Sequence, residues 1–234
     1  MKKHFNTLTR KAFVGSLFAL AATVLISSCK KDNGYEFDGA VTAKVQLVNA
    51  NPDAGPAQLF IQGVLRTPNT VSYSNASGYN DSYTGQQDIS IQSPSGTVLA
   101  SGSAQIDPTS YYSFILAGNS SSASVIAVKD DQTAPASGMA RVRFVQASAD
   151  APASNVTANG TGIFTALSYK GVSAYTELAA GSYIFRLINA STSTVLATGS
   201  SITLAAGKIY TIYSKGSISG SGSSALSISA VAVN

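Results

Sequence analysis

Hydrophobic and polar positions alternate with a period of two along most of the chain beyond residue 42. In "SYIFRLI", Tyr183, Phe185 and Leu187 share one face, and Ile184, Arg186 and Ile188 share the other. In "GKIYTIYSKG", Tyr210 and Ile212 oppose Ile209, Thr211 and Tyr213. In "ARVRFV" the same alternation points Val142 and Phe144 to a core and Arg141 and Arg143 to water. β-branched and aromatic residues fill these runs, and Gly, Asn, Ser or Pro interrupt them roughly every 8–12 residues, the rhythm of a β-sandwich. No helical stripe appears after Cys29.

The pattern occurs twice. Lys44-Val45-Gln46-Leu47-Val48 aligns with Arg141-Val142-Arg143-Phe144-Val145, and Asp53-Ala54 with Asp150-Ala151. "VSYSNASGY" from Val71 aligns with "LSYKGVSAY" from Leu167, "TVLASGS" with "TVLATGS", and "YYSFILAG" with "IYTIYSKG". The offset stays between 96 and 98 residues. Each repeat, about 90 residues, is long enough to be a domain. The expected fold class is all-β: two tandem antiparallel β-sandwich (immunoglobulin-like) domains, with seven or eight strands each. The expected boundaries are a signal peptide at 1–28, a lipidated tether at 29–42, a first sandwich at 43–131, a linker at 132–138 and a second sandwich at 139–234.

The N-terminal segment breaks the pattern. Lys2, Lys3, Arg10 and Lys11 precede the apolar run Ala12 to Ile26, which is shorter than the about 20 apolar residues a membrane span needs. The "ISSC" ending at Cys29 resembles the lipobox of bacterial lipoproteins. That resemblance implies cleavage before Cys29, diacylglycerol on its sulfur and acylation, for example by palmitate, of the new amine. Several acyl chains together make a lasting anchor where one does not. The expected location is the bacterial cell envelope, anchored by lipid, most simply at the outer membrane.

Cysteine and histidine usage then excludes whole classes of chemistry. Cys29 is the only cysteine, His4 the only histidine, and there is no Trp. Beyond Cys29 no disulfide, thiol nucleophile, Ser-His-Asp triad or His-ligated metal site can be built. The formal charge of +4 belongs to the leader. Beyond it basic and acidic side chains balance, so no electrostatic footprint for nucleic acid exists.

The phrases "RVRFVQASADAPA" and "TLAAGKIYTIYSKG" in the second repeat resemble domain-of-unknown-function family 4397, a family of bacterial extracytoplasmic domains; the first repeat follows more loosely. The resemblance implies a β-sandwich, often in tandem and often lipid-anchored, with no established activity. Where the family often has His, this chain has Asn49 and Gln146.

Few residues invite chemistry. The repeated Asp53 and Asp150 sit at strand-to-turn junctions, where Asp commonly bonds the backbone two residues on. With Glu177 they are the candidates for calcium, which wants six to eight oxygens. No D-x-D-x-D-G run accompanies them. Asp150 and Glu177 are also the one carboxylate pair to consider for glycosidase chemistry. The aligned tyrosines, Tyr73 with Tyr169, Tyr79 with Tyr175 and Tyr112 with Tyr210, read as core or hydroxyl-anchored residues, or else as a stacking platform for sugars. "GNSSSAS" from Gly118 and "GSISGSGSS" from Gly216 are expected to join the last two strands of each repeat, as slack hairpins or as binding loops. No cofactor is expected. The expected partners are the membrane, through the lipid, and an envelope protein or polysaccharide. The expected role is non-catalytic adhesion, binding or accessory function, with carbohydrate capture as the alternative.

Overall fold

The computed structural model describes residues 42–234. The expected signal peptide, Cys29 and the expected tether up to residue 41 lie outside the described residues. The first domain contains β1 Ala43–Asn49, β2 Gln58–Ile61, β3 Val64–Leu65, β4 Asn80–Ser82, β5 Gly85–Gln92, β6 Val98–Ile106, β7 Tyr111–Ala117 and β8 Ser124–Asp130. The second contains β9 Met139–Val145, β10 Ser154–Ala158, β11 Thr161–Leu167, β12 Thr176–Ala179, β13 Gly181–Asn189, β14 Val195–Leu204, β15 Ile209–Lys215 and β16 Ser227–Ala232. A single 3₁₀ turn, Gly222–Ser224, interrupts the last loop. Among the described residues no helix is long and apolar enough to cross a membrane.

Each domain is a sandwich of two four-stranded sheets. The order is β4-β1-β7-β8 over β3-β2-β5-β6 in the first domain, and β12-β9-β15-β16 over β11-β10-β13-β14 in the second. The pairing is antiparallel except at one place in each domain. There the first strand runs parallel to the seventh, with Gln46 beside Ser113 and Arg143 beside Thr211. The β10–β11 hairpin closes over Asn159-Gly160, both with positive φ, the conformation a two-residue type I′ turn demands. Gln62-Gly63 does the same between β2 and β3.

The cores follow the period-two reading. Val45, Leu47, Leu59, Ile89, Ile91 and Phe114 fill the first sandwich. Val142, Phe144, Val156, Phe185, Leu187 and Ile212 fill the second. A third apolar cluster joins the domains: Val48, Ile115, Ile126 and Val128 pack against Val145 and Tyr213. The sheets β4-β1-β7-β8 and β12-β9-β15-β16 therefore meet face to face, with a wetter outer sheet behind each. This explains why β7 is buried along almost its whole length.

The inner interface overturns one expectation. Arg143 does not face water; it is 2 % exposed and lies between the domains. Its guanidinium pairs with Asp130, donates from Nη1 to the Lys129 carbonyl at 2.7 Å and from Nε to the Thr211 hydroxyl at 2.9 Å. Arg141, largely covered, reaches Asp131 at 2.8 Å. Alternation placed both arginines off the core correctly, but Arg143 is covered by the other domain and Arg141 by the connection at Asp131 and Thr133.

The domains stand side by side with like ends together. At one end the Gly118 amide donates to the Ala147 carbonyl at 2.8 Å, and the Tyr169 hydroxyl donates to the Ser122 carbonyl at 2.9 Å. Lys215 there reaches the Ser74 hydroxyl. At the other end lie the start of β1, the linker, and Gln132 donating to the Val233 carbonyl at 2.6 Å. The turns after β1 and β9 and the loops after β7 and β15 thus share one end, opposite the point where the described chain begins.

Candidate functional site

The loop end is assembled from both domains, and its loops are held by carboxylates. In the second domain Asp150 accepts from the Ser217 hydroxyl at 2.5 Å, the Ile218 amide at 3.0 Å, the Ser219 amide at 3.3 Å and the Ser148 hydroxyl at 3.1 Å. It ties the turn after β9 to the loop between β15 and β16. In the first domain Asp53 accepts from the Ser120 amide at 3.0 Å, tying the turn after β1 to the loop after β7. Both aspartates are therefore latches across the end. The expected bond to the backbone two residues on is made instead by Asn51, which accepts the Asp53 amide at 2.9 Å.

Burial is the largest single influence on Asp150 and would raise its pKa. The Ser217 hydroxyl, the Ile218 and Ser219 amides and the Ser148 hydroxyl together outweigh it and hold the carboxyl below the usual value. A carboxylate lowered in the folded state stabilises above its unfolded pKa, about 3.9, and loses that contribution as pH falls through its lower folded value. The Ile218 and Ser219 amide resonances should accordingly titrate together below about pH 4. A midpoint at or above the unfolded value would contradict the latch.

Asn49 and Gln146, equivalent positions in the two repeats, are structural. Asn49 is fully buried and donates to the Gly55 carbonyl at 2.8 Å and the Val71 carbonyl at 3.1 Å. Gln146, also fully buried, accepts from Ser214, whose oxygen in turn accepts the Ala147 amide at 2.8 Å. Both side chains pin the base of the turn that carries the latch.

The acids are not brought together. Asp53 and Asp150 belong to different domains, and Glu177 lies opposite Arg141 near the start of β9, whereas Asp150 follows that strand's far end. The Glu177 carboxylate accepts the Ala136 amide at 3.1 Å. Asp81, aligned with Glu177, is paired with Lys44 at 2.9 Å. Among the described residues no three His, Cys, Asp or Glu side chains converge as a metal site would require.

The aligned tyrosines are engaged through their hydroxyls or rings. Tyr112 donates to Asp107 at 3.2 Å, and Tyr210 accepts the Ala205 amide at 3.1 Å, the same corner in each domain. Tyr79 donates to Asp130 at 2.7 Å. Tyr169 bonds the loop after β7, and Tyr73 lies under the Lys215 ammonium, 5.1 Å from the ring centre. None forms an open stacking platform.

Two hollows flank the interface. The loop end has one of about 270 Å³ lined by Asn69, Thr70, Ser72, Asn75 and Ser77, hydroxyls and amides without a formal charge. The linker end has one of about 400 Å³ bordered by Tyr111, Lys129, Asp130, Asp131 and Gln132. The charges of the second are already spent: Lys129 pairs with Asp107 at 2.8 Å, Asp131 with Arg141 and Asp130 with Arg143. The neutral hollow therefore has the more available hydrogen-bonding groups. Sequence reading located the loops but missed residues 68–77, whose Asn, Ser and Thr composition was the available signal.

None of the curated proteins matches the chain. A solved structure from Bacteroides uniformis, provisionally described as a cell adhesion protein, is 9 % identical, with 84 % of this chain and 98 % of that one covered and a TM-score of 0.26. A second, from Bacteroides eggerthii and described in the same words, is 9 % identical, with 83 % and 96 % covered and a TM-score of 0.20. The profile of "Domain of unknown function (DUF4397)" matches twice, at residues 43–156 and 142–232. With the duplicated strand-and-turn phrase and two sandwiches of one topology, the chain belongs to the DUF4397 family.

Proposed function

We propose that the chain is a non-catalytic, lipid-anchored envelope protein that binds its target through the loop end. The observation that carries this reading is the placement of the loops of both domains at one end, opposite the point where β1 begins. Loops held by a rigid sandwich are where binding usually resides, since they vary without cost to the core. An anchor at Cys29 would leave residues 30–42 as a tether of some tens of ångströms at most. Such an anchor would enter at the end of the sandwiches opposite the loops.

The absence of His and thiol beyond Cys29, and the separation of Asp150 from Glu177, support a binding role over catalysis. A neutral hollow of hydroxyls and amides favours a polysaccharide as the ligand class. A Cys29→Ala variant should lose incorporation of labelled palmitate and leave the membrane fraction. Unchanged labelling would refute the anchor. Protease shaving of whole cells should then distinguish surface display from a periplasm-facing position.

A further inference from the structure

The inner sheets cover each other, so the outer sheets are the two flanks of the molecule, β3-β2-β5-β6 on one side and β11-β10-β13-β14 on the other. The repeats diverge there. With Gly85 aligned to Gly181, Asp88 falls on Ile184 and Ser90 on Arg186. All four point outward, because Ile89 and Phe185 between them belong to the cores. One flank thus carries a carboxylate and the other a guanidinium, on equivalent strands of one fold.

These two charges are unlike the others among the described residues. Every other acid is engaged, Asp81, Asp107, Asp130 and Asp131 in ion pairs, and Asp53, Asp150 and Glu177 with backbone amides. Every other basic side chain has an ion pair, a hydrogen bond or an aromatic ring: Lys170 lies over Tyr169, Arg66 over Tyr83, and Lys215 and Lys208 reach oxygens. Asp88 and Arg186 have none of these, and both are exposed. Asp88 borders a hollow of about 490 Å³ whose other walls are small, Gly63, Ser90, Ser101, Gly102 and Ser103. The long side chains of Ile184 and Arg186 stand at the matching place on the second flank. Apolar groups accompany both. Leu65 pairs with Phe60 opposite Ser90, and Val98 and Val195 lie opposite Gln92 and Ile188. Leu65, Val98, Ile184 and Val195 are four of the six exposed large hydrophobic residues. Apolar groups gathered on an uncovered face mark an interaction surface.

We propose that the two flanks dock on each other between copies of this chain, the outer sheet of one copy's second sandwich seating on the outer sheet of the next copy's first. Arg186 then meets Asp88, and Ile184 enters the hollow floored by serine and glycine. The charges choose this arrangement. Pairing two first flanks sets Asp88 against Asp88, and pairing two second flanks sets Arg186 against Arg186, so both like contacts are repelled. The unlike contact is heterologous, and its two halves lie on opposite sides of the molecule. It therefore leaves one free flank at each end and extends into a row instead of closing as a dimer. A copy displaced along the line through both sandwiches keeps its loop end beside that of its neighbour. The row stands whatever the loop end binds.

Sedimentation equilibrium of residues 30–234, which hold both sandwiches whole, tests this from about 10 μM to about 1 mM. The average mass of the unaltered chain should rise with concentration and pass that of a dimer. D88R sets Arg against Arg186, and R186D sets Asp against Asp88, so each alone should stay monomeric over the same range. Both side chains are exposed and unpartnered, so Tm should move by less than about two degrees in either variant. D88R/R186D restores opposite charges with their places exchanged and should recover the rise in mass, as should a one-to-one mixture of the single variants. An unaltered chain that keeps the monomer mass overturns the proposal. Growth that stops at a dimer overturns it too, as does a double variant that stays monomeric.

Discussion

Arg143→Ala is expected to destabilise the protein by about 3–5 kcal/mol. The substitution leaves the Asp130 carboxylate fully buried with its principal charge partner gone. Burial already pushes that carboxyl up from its usual value, against the Arg143 guanidinium and the hydroxyls of Tyr79 and Ser113. Without the guanidinium, Asp130 must take up a proton or draw in water, and either opens the interface. The Lys129 carbonyl and Thr211 hydroxyl lose their donor as well. Replacing both charges by Leu should cost much less, because no uncompensated charge remains. Denaturant unfolding of the two variants checks this, and equal losses would mean that the pair is solvated rather than buried.

The second large effect belongs to Tyr213. It is among the largest fully buried side chains, lies between the domains rather than in either core, and donates to the Ser74 carbonyl at 3.4 Å. Tyr213→Ala should cost about 3–5 kcal/mol, as large aromatic truncations do. It should also split one cooperative unfolding transition into two. Each sandwich keeps its own core, so what is lost is the coupling between them. A single transition shifted to lower temperature would show that Tyr213 supports one domain rather than the junction.

Much of the fold was legible in the sequence because its determinants are local. The period of two in "SYIFRLI" places Phe185 and Leu187 in the core, where they are found. The duplication fixed two copies of one sandwich. The parallel contact of β1 with β7 was not legible, since it joins residues 67 apart, as Gln46 and Ser113 show, with no local signal for direction. Arg143 illustrates the limit of alternation. It tells which side of a strand a residue occupies, not what covers that side. A face built to meet another domain carries Gln, Arg, Ser and Thr, and reads like a wetted surface.

The loop end was half legible. Repetition singled out Asp53 and Asp150, and strand-to-turn position gave a local explanation for both. Their actual partners, Ser120 and the stretch Ser217 to Ser219, lie in loops that only the closed sandwich brings near. Four of the aligned tyrosines, Tyr79, Tyr112, Tyr169 and Tyr210, are hydroxyl-anchored as the sequence suggested, whereas the buried hydroxyls of Tyr73 and Tyr175 have no hydrogen-bond partner.

The central claim is that binding occurs at the loop end shared by the two sandwiches. It is tested most directly by coupling the mature chain through its N-terminus to a surface and probing it with an array of bacterial and plant polysaccharides. The D53A/D150A variant, with its loops unlatched, and S101R/S103R on the exposed outer sheet of the first domain serve as the comparison. The account predicts binding at millimolar or tighter affinity that falls at least about tenfold in D53A/D150A and is unchanged in S101R/S103R. Binding that survives unlatching, or is lost only on the outer sheet, would contradict it.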